Sequence, residues 1–282
     1  METDILLVPM GARYADVRRA AVAADEAGFA GLWTWDHLRD PDLGADSRVP
    51  EAWTLLSALA EVTRRLMLGP LVLNVGNRHP GLLANMSATL QEISGGRVLL
   101  GIGAGGSRQT PYAAEQEALG IAVEPDAVRA QRVVEAAQVM RRLWAGDASD
   151  FAGTHYRLVR PTGFLRADPP PPIIVGGFGP RMAAIAGRWG DGLNTQAMHP
   201  DLAGLLRTAR AEHAASGRDP ARFCATVFAR LDPVWVQPGS GPRRRLADLG
   251  VARLILLAVP PLDPREIKAA GGLLSGVSAD QP

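Results

Sequence analysis

Short apolar runs alternate with longer stretches whose apolar residues recur at helical spacing, along nearly the whole chain. Ile5–Val8, Gly31–Trp35, Met67–Leu73, Val98–Ile102, Ile173–Val175, Asp191–Asn194, Cys224–Leu231 and Arg253–Val259 read as strands. Most are too uniformly apolar to have a solvent face, as parallel strands covered on both sides are. Tyr14–Ala27, Glu51–Thr63, Pro80–Ile93, Asp126–Trp144, Arg181–Arg188, Leu202–Ser216, Arg243–Leu249 and a stretch from Pro264 read as helices. The punctuation agrees: Gly28 suits a helix C-terminal cap, Ser94-Gly95-Gly96 breaks the third helix, and Pro180 stands at a first helical position. Val234–Val236 reads as an extension of the seventh strand.

Eight strands alternating with helices predict an α/β protein, a (β/α)8 TIM barrel forming a single domain over residues 1–282, with an insertion after the fourth strand. Its 282 residues suit a barrel of about 250. A doubly wound open sheet is the structural alternative. The insertion carries the long Asp126–Trp144 helix and an irregular Asp150–Asp168 segment with a small hairpin around Phe151–Tyr156. Arg39–Pro50 is polar, rich in Asp, Gly and Pro, and long enough for a lid or substrate loop.

Composition narrows the classes. A hydrophobic share of 47% is enough for a sizeable core, and a formal net charge of +1 argues against nucleic acid as the main partner. The single cysteine, Cys224, excludes a disulfide framework and a cysteine metal site. The acidic N-terminus does not read as a signal peptide, and no run approaches the roughly 20 apolar residues of a membrane span. A soluble, cytoplasmic protein is expected.

Barrel active sites lie at the carboxyl ends of the strands, which directs attention to three strand ends. The Gly31–Trp35 run ends in Asp36 and His37, an acid beside an imidazole, the residue type suited to acid–base work; an N-cap with a surface histidine is the plainer reading. Gly101-Ile-Gly103-Ala-Gly105-Gly106 fits the G-x-G-x-x-G dinucleotide fingerprint, but the chain runs on as a loop where that motif needs a helix. Glycines admitting a flat ring to the backbone, or serving a barrel turn, are the other readings. Gly176-Gly177-Phe178-Gly179 lies between a strand and a helix, where backbone N–H groups and the helix dipole make an anion site, or simply a tight turn. No Walker lysine follows either cluster. His79 suits a helix cap, and His155, His199 and His213 show no metal-ligand spacing, so no metal is expected.

Four stretches resemble the luciferase-like flavin and deazaflavin oxidoreductase superfamily. They are Asp25-Glu-Ala-Gly-Phe with Leu32-Trp-Thr-Trp-Asp-His, then Pro50-Glu-Ala-Trp-Thr-Leu-Leu, then Arg78-His-Pro with Ser94-Gly-Gly-Arg-Val-Leu-Leu-Gly-Ile-Gly-Ala-Gly. The fourth is Pro172-Ile-Ile-Val-Gly-Gly with Ala186-Gly-Arg-Trp-Gly-Asp-Gly-Leu-Asn. The resemblance implies an oxidoreductase that moves a hydride between C5 of coenzyme F420 and a small organic substrate. Reduced FMN with monooxygenation is the alternative on the same fold, and a non-catalytic cofactor-binding subunit is an alternative of another class. It implies Asp36 and His37 against the ring as the catalytic pair, and a bulge near Leu73, Asn74 and Val75 behind the ring, commonly with a non-proline cis peptide. Gly103, Ala104 and Gly105 would lie near the ring, and Gly176, Gly177, Phe178 and Gly179 around the phosphate. Sugar-phosphate dehydrogenases of the family carry a catalytic glutamate just after the fourth strand. Ala104 and Gly105 stand there, which counts against that substrate class and leaves His37 as the acid–base candidate. A homodimer through Glu51–Leu59, with Trp53 as contact or as plain core, completes the expectation.

Overall fold

The computed structural model describes residues 1–40 and 48–274. Its strands in chain order are β1 (Glu2–Leu7), β2 (Gly31–Thr34), β3 (Met67–Pro70), β4 (Leu73–Asn74), β5 (Leu100–Gly103), the short β6 (Phe151–Ala152) and β7 (Arg157–Leu158), then β8 (Ile173–Gly176), β9 (Gly192–Gln196), β10 (Cys224–Arg230) and β11 (Arg253–Ala258). All but β6 and β7 form one parallel sheet in the order β3-β2-β1-β11-β10-β9-β8-β5-β4. β3 and β4 are two pieces of one stave. β3 pairs with β2, β4 pairs with β5, and Leu68 bridges to Val98, so the two ends of the order meet and the barrel closes. That closure excludes the doubly wound alternative. β6 and β7 make the expected antiparallel hairpin inside the insertion.

The helices are α1 (Tyr14–Glu26), α2 (Ala52–Val62), α3 (Pro80–Ser94), α4 (Ala113–Ala118), α5 (Asp126–Ala145), α6 (Pro180–Trp189), α7 (Leu202–Ala215), α8 (Pro233–Val236), α9 (Gly241–Asp248) and α10 (Pro264–Leu274). Strand alternation divides the core into two layers. Ile5, Leu7 and Leu32 point out and join Val17, Leu56, Leu59 and Leu83 between barrel and helices. Leu6, Trp33, Leu99, Ile174, Ile255 and Leu257 point in and fill the barrel. Trp53 is buried in the outer layer, as core rather than as surface. Among the described residues no helix is long and apolar enough to cross a membrane.

Three elements differ from expectation. The third strand is broken at Pro70–Val72, with the cis peptide at Leu71–Val72, earlier than the Leu73–Val75 position expected for it. Val234–Val236 belongs to a short helix, because Pro233 opens it and the Asp232 carboxylate caps the Val234 N–H at 2.9 Å. α4 is the third: it follows the expected loop through Ser107–Pro111, at a place where no helix is expected. Most of the expected Arg39–Pro50 substrate loop lies outside the described residues.

Candidate active site

The carboxyl end of β2 delivers Trp35, Asp36 and His37 to the barrel rim. Asp36 turns away from the mouth. Its side chain is wholly enclosed, and Arg78 grips it with a two-point fork, Nη2 to Oδ1 at 2.7 Å and Nη1 to Oδ2 at 2.8 Å. Its Oδ2 also accepts from the Asn74 N–H at 2.9 Å. Burial pushes the Asp36 carboxyl up, against the pull of Arg78 and of that N–H. Arg78 reaches on to Glu51 at 2.6 Å. Glu51 is in turn the N-cap of α2, accepting from Trp53 N and Thr54 N. Asp36, expected as half of a catalytic pair, therefore spends its oxygens on fastening β2, β4 and the starts of α2 and α3 together.

His37 faces differently. It is partly exposed, its Nδ1 lies 3.2 Å from Glu115 Oε1, and the Tyr112 ring stacks on it with centroids 4.4 Å apart. No hydrogen bond to Nε2 is formed among the described residues. Trp35 meets the same ring edge-on at 6.0 Å. Glu115 comes from α4. A six-residue polar helix offers no hydrophobic period, so the sequence gives no cue that this carboxylate returns to His37 from 78 positions away.

The broken strand sets the floor of the mouth. Val72, with Leu71, joins the barrel-interior cluster, whereas the Leu73 and Val75 side chains, expected behind a bound ring, are buried in the outer layer. The glycines at the neighbouring strand ends make room for Val72. A Cβ on Gly103 would lie 2.5 Å from Val72 Cγ2, and one on Gly176 would lie 2.9 Å from it. Asn74 lies between Asp36 and the β5 end, opposite Gly103 in the ladder. Gly105, at φ +74°, packs against the Asn74 amide where a side chain would collide. Arg129 of α5 fixes this turn by donating to the carbonyls of Ala104 and Gly105 at 2.8 and 2.7 Å. A cavity opens beside it, lined by Asn74, Gly76, Ala104, Gln116, Arg129 and Arg132, and the buried Gln116 Oε1 there has no protein partner. No helix follows Gly101–Gly106 directly, and β5 belongs to a closed barrel, so the dinucleotide fingerprint is coincidental.

At β8, where an anion site is expected, the strand leads through a short turn into the start of α6. Gly177 N is used by Asn194 O, while Gly179 is the N-cap of α6 with no side chain capping that helix. The space where a Gly179 Cβ would stand is open, and the Phe178 side chain is 58% exposed beside Phe228. Asp36 to Asn74, Asn74 to Gly103 and Gly105, and Gly103 to Gly176 across Val72 thus form one continuous rim.

That closed parallel barrel with its rim of strand-end residues defines the class, and sequence comparison identifies it. The chain belongs to the luciferase-like monooxygenase family, whose model matches residues 3–233. It is 33% identical over 252 residues to the F420-dependent hydroxymycolic acid dehydrogenase of Mycobacterium tuberculosis (strain ATCC 25618 / H37Rv), covering 89% of this chain and 66% of that protein. It is 34% identical over 183 residues to the F420-dependent glucose-6-phosphate dehydrogenase of Microbacterium testaceum (strain StLB037), covering 64% of this chain and 52% of that one. The chain thus spans about half to two thirds of the length of these relatives. An F420-dependent secondary alcohol dehydrogenase, solved in complex with an F420-acetone adduct, shares the fold at TM-score 0.81 and 20% identity, covering 99% of this chain and 100% of that one.

Proposed function

We propose that this chain is an F420-dependent oxidoreductase acting on a small, uncharged organic substrate. The observation that carries the reading is His37: an imidazole at the end of β2, held on one nitrogen by Glu115, at the strand-end face that also carries the Val72 floor and an uncapped helix start. The residues fit the group. Val72, with glycines on two neighbouring strands, leaves a flat apolar seat, and the α6 start suits an anionic tail. The curated relatives named above are F420-dependent. When bound, a deazaflavin supplies a carbon, C5, that takes or gives a hydride.

The chain's own contribution is orientation and a proton. In the oxidative direction His37 accepts the proton of a substrate hydroxyl while the carbinol carbon is oxidised; in the reductive direction it returns that proton. Asp36, Arg78 and Glu51 hold the strand end that carries it, and Trp35, Val72 and Phe228 keep the mouth apolar. Sugar phosphates are disfavoured as substrates, because Ala104 and Gly105 stand where such enzymes of the family carry a glutamate. The family's monooxygenases support the second reading, reduced FMN with oxygen insertion.

Fluorescence titration of the purified chain with F420 and with FMN separates the two. Saturable quenching by F420 well below the concentration FMN requires is expected. Tighter binding of FMN replaces the proposal with the monooxygenase reading. A His37→Ala variant that binds F420 as the wild type does and turns over secondary alcohols undiminished removes His37 from the chemistry and leaves the binding site standing.

A further inference from the structure

Glu115 belongs to no stretch that carries the family resemblance, yet it is among the few carboxylates the fold buries, at 5% exposure. Both its oxygens are spent on the end of β2. Oε2 accepts from the Leu38 backbone N–H at 2.9 Å, and Oε1 lies 3.2 Å from His37 Nδ1. Three residues earlier on the same segment, Tyr112 lies flat against the imidazole, tilted 25°. The segment over residues 112–118 is therefore a strap across the Asp36–His37 corner.

We infer that Glu115 is a positioning residue that fixes the tautomer of His37. An ionised carboxylate only accepts hydrogen bonds. Facing Glu115, the neutral imidazole carries its proton on Nδ1 and leaves Nε2 bare as an acceptor toward the mouth. Without such a partner, a histidine side chain in water favours the opposite tautomer. The other groups around the ring do not compete: Trp35 meets it edge-on, Tyr112 presents its face, and Asp36 is committed to Arg78 and Asn74 N. The consequence for turnover rests on the function proposed above; the tautomer itself does not.

Glu115→Gln offers a nearly isosteric test with an opposite outcome built in. The Leu38 N–H is an obligatory donor, so it claims the glutamine's single oxygen. The amide nitrogen is then turned to His37 Nδ1, which must accept, and the proton moves to Nε2. The experiment is long-range 15N–1H correlation on 15N-histidine-labelled full chain without cofactor, at a pH where the ring is neutral. A His37→Asn spectrum assigns the signal among the five histidines, and melting curves confirm that each variant is folded.

A pyrrole-type Nδ1 and pyridine-type Nε2 are expected in the wild type, and the reverse in both Glu115→Gln and Glu115→Ala. A wild type already protonated on Nε2, or a Glu115→Gln that keeps the wild-type pattern, overturns the inference. With F420 and an alcohol substrate, Glu115→Gln should lose about 10²-fold in kcat, the scale of general acid–base catalysis, with KM little changed. Failure of the chain to bind F420 would sink the proposed function while leaving the tautomer measurement intact.

Discussion

The barrel carries a buried aspartate–arginine fork at each end, and the two are used differently. At the amino-terminal end Asp4 points inward from β1. Arg253 grips it at 2.7 and 2.8 Å, and Trp33 Nε1 donates to it at 2.8 Å. Its side chain is fully enclosed, like that of Asp36 at the carboxyl end, and burial pushes both carboxyls up. The lower fork joins strand to strand and plugs the barrel under a layer of Leu6, Trp33 and Ile255. The upper fork joins a strand end to α2 and α3, and leaves the next residue, His37, facing the mouth. The same pairing that closes one end fastens, at the other, the strand end that carries His37.

The sharpest way to break the contrast is Arg253→Met. It strands Asp4 in the interior and should cost about 3–5 kcal/mol in urea unfolding. Adding Asp4→Leu should return only part of that loss: an apolar pair can replace a buried ion pair, but Trp33 Nε1 then loses its acceptor. Gly103→Val acts on the upper floor instead. Its Cβ meets Val72 at 2.5 Å, so overpacking should cost about 1–3 kcal/mol and weaken cofactor binding at the same time.

Glu51→Gln is milder and depends on pH. The N–H groups of Thr54 and Trp53 together with Arg78 hold the Glu51 carboxyl below its ordinary value in spite of its burial. A depressed carboxyl contributes stability above its unfolded pKa and loses it as pH falls through the folded one. The gap in Tm between wild type and Glu51→Gln should therefore be open at pH 7, worth about 1 kcal/mol as for a helix cap. It should narrow once pH falls below about 4, the ordinary range for glutamate. A gap that is constant down to pH 3 would show that the charge of Glu51 contributes nothing to the upper cluster.

Much of the lower half of this comparison is legible in the sequence, and little of the upper. The strands announce themselves because residues such as Ile5, Leu6 and Leu7 are buried on both faces and cannot be polar. Helix ends are readable where one residue carries the geometry: His79 caps α3 through Gly81 N, and Gly95 ends it in the left-handed region. The break at Pro70–Val72 is hidden, since the run Met67–Leu73 is apolar whether or not it is interrupted. The partners of Asp36 and His37 are hidden for another reason. Arg78, Glu51 and Glu115 are brought in by loop ends and by a short polar helix, and long-range closure leaves no periodic mark. In contrast, Pro233 after Asp232 was a readable helix start that the apolar Val234–Val236 run obscures.

The central claim is that the upper fork, and not the lower, supports the rim proposed to bind the cofactor. F420 fluorescence quenching compares Arg78→Met directly with the Asp4→Leu/Arg253→Met double variant, in which the lower plug is replaced but still packed. The account predicts at least a tenfold weaker Kd, about 1.4 kcal/mol, for Arg78→Met and a wild-type Kd for the double variant. Equal affinities in the two, or a loss confined to the lower variant, would contradict it.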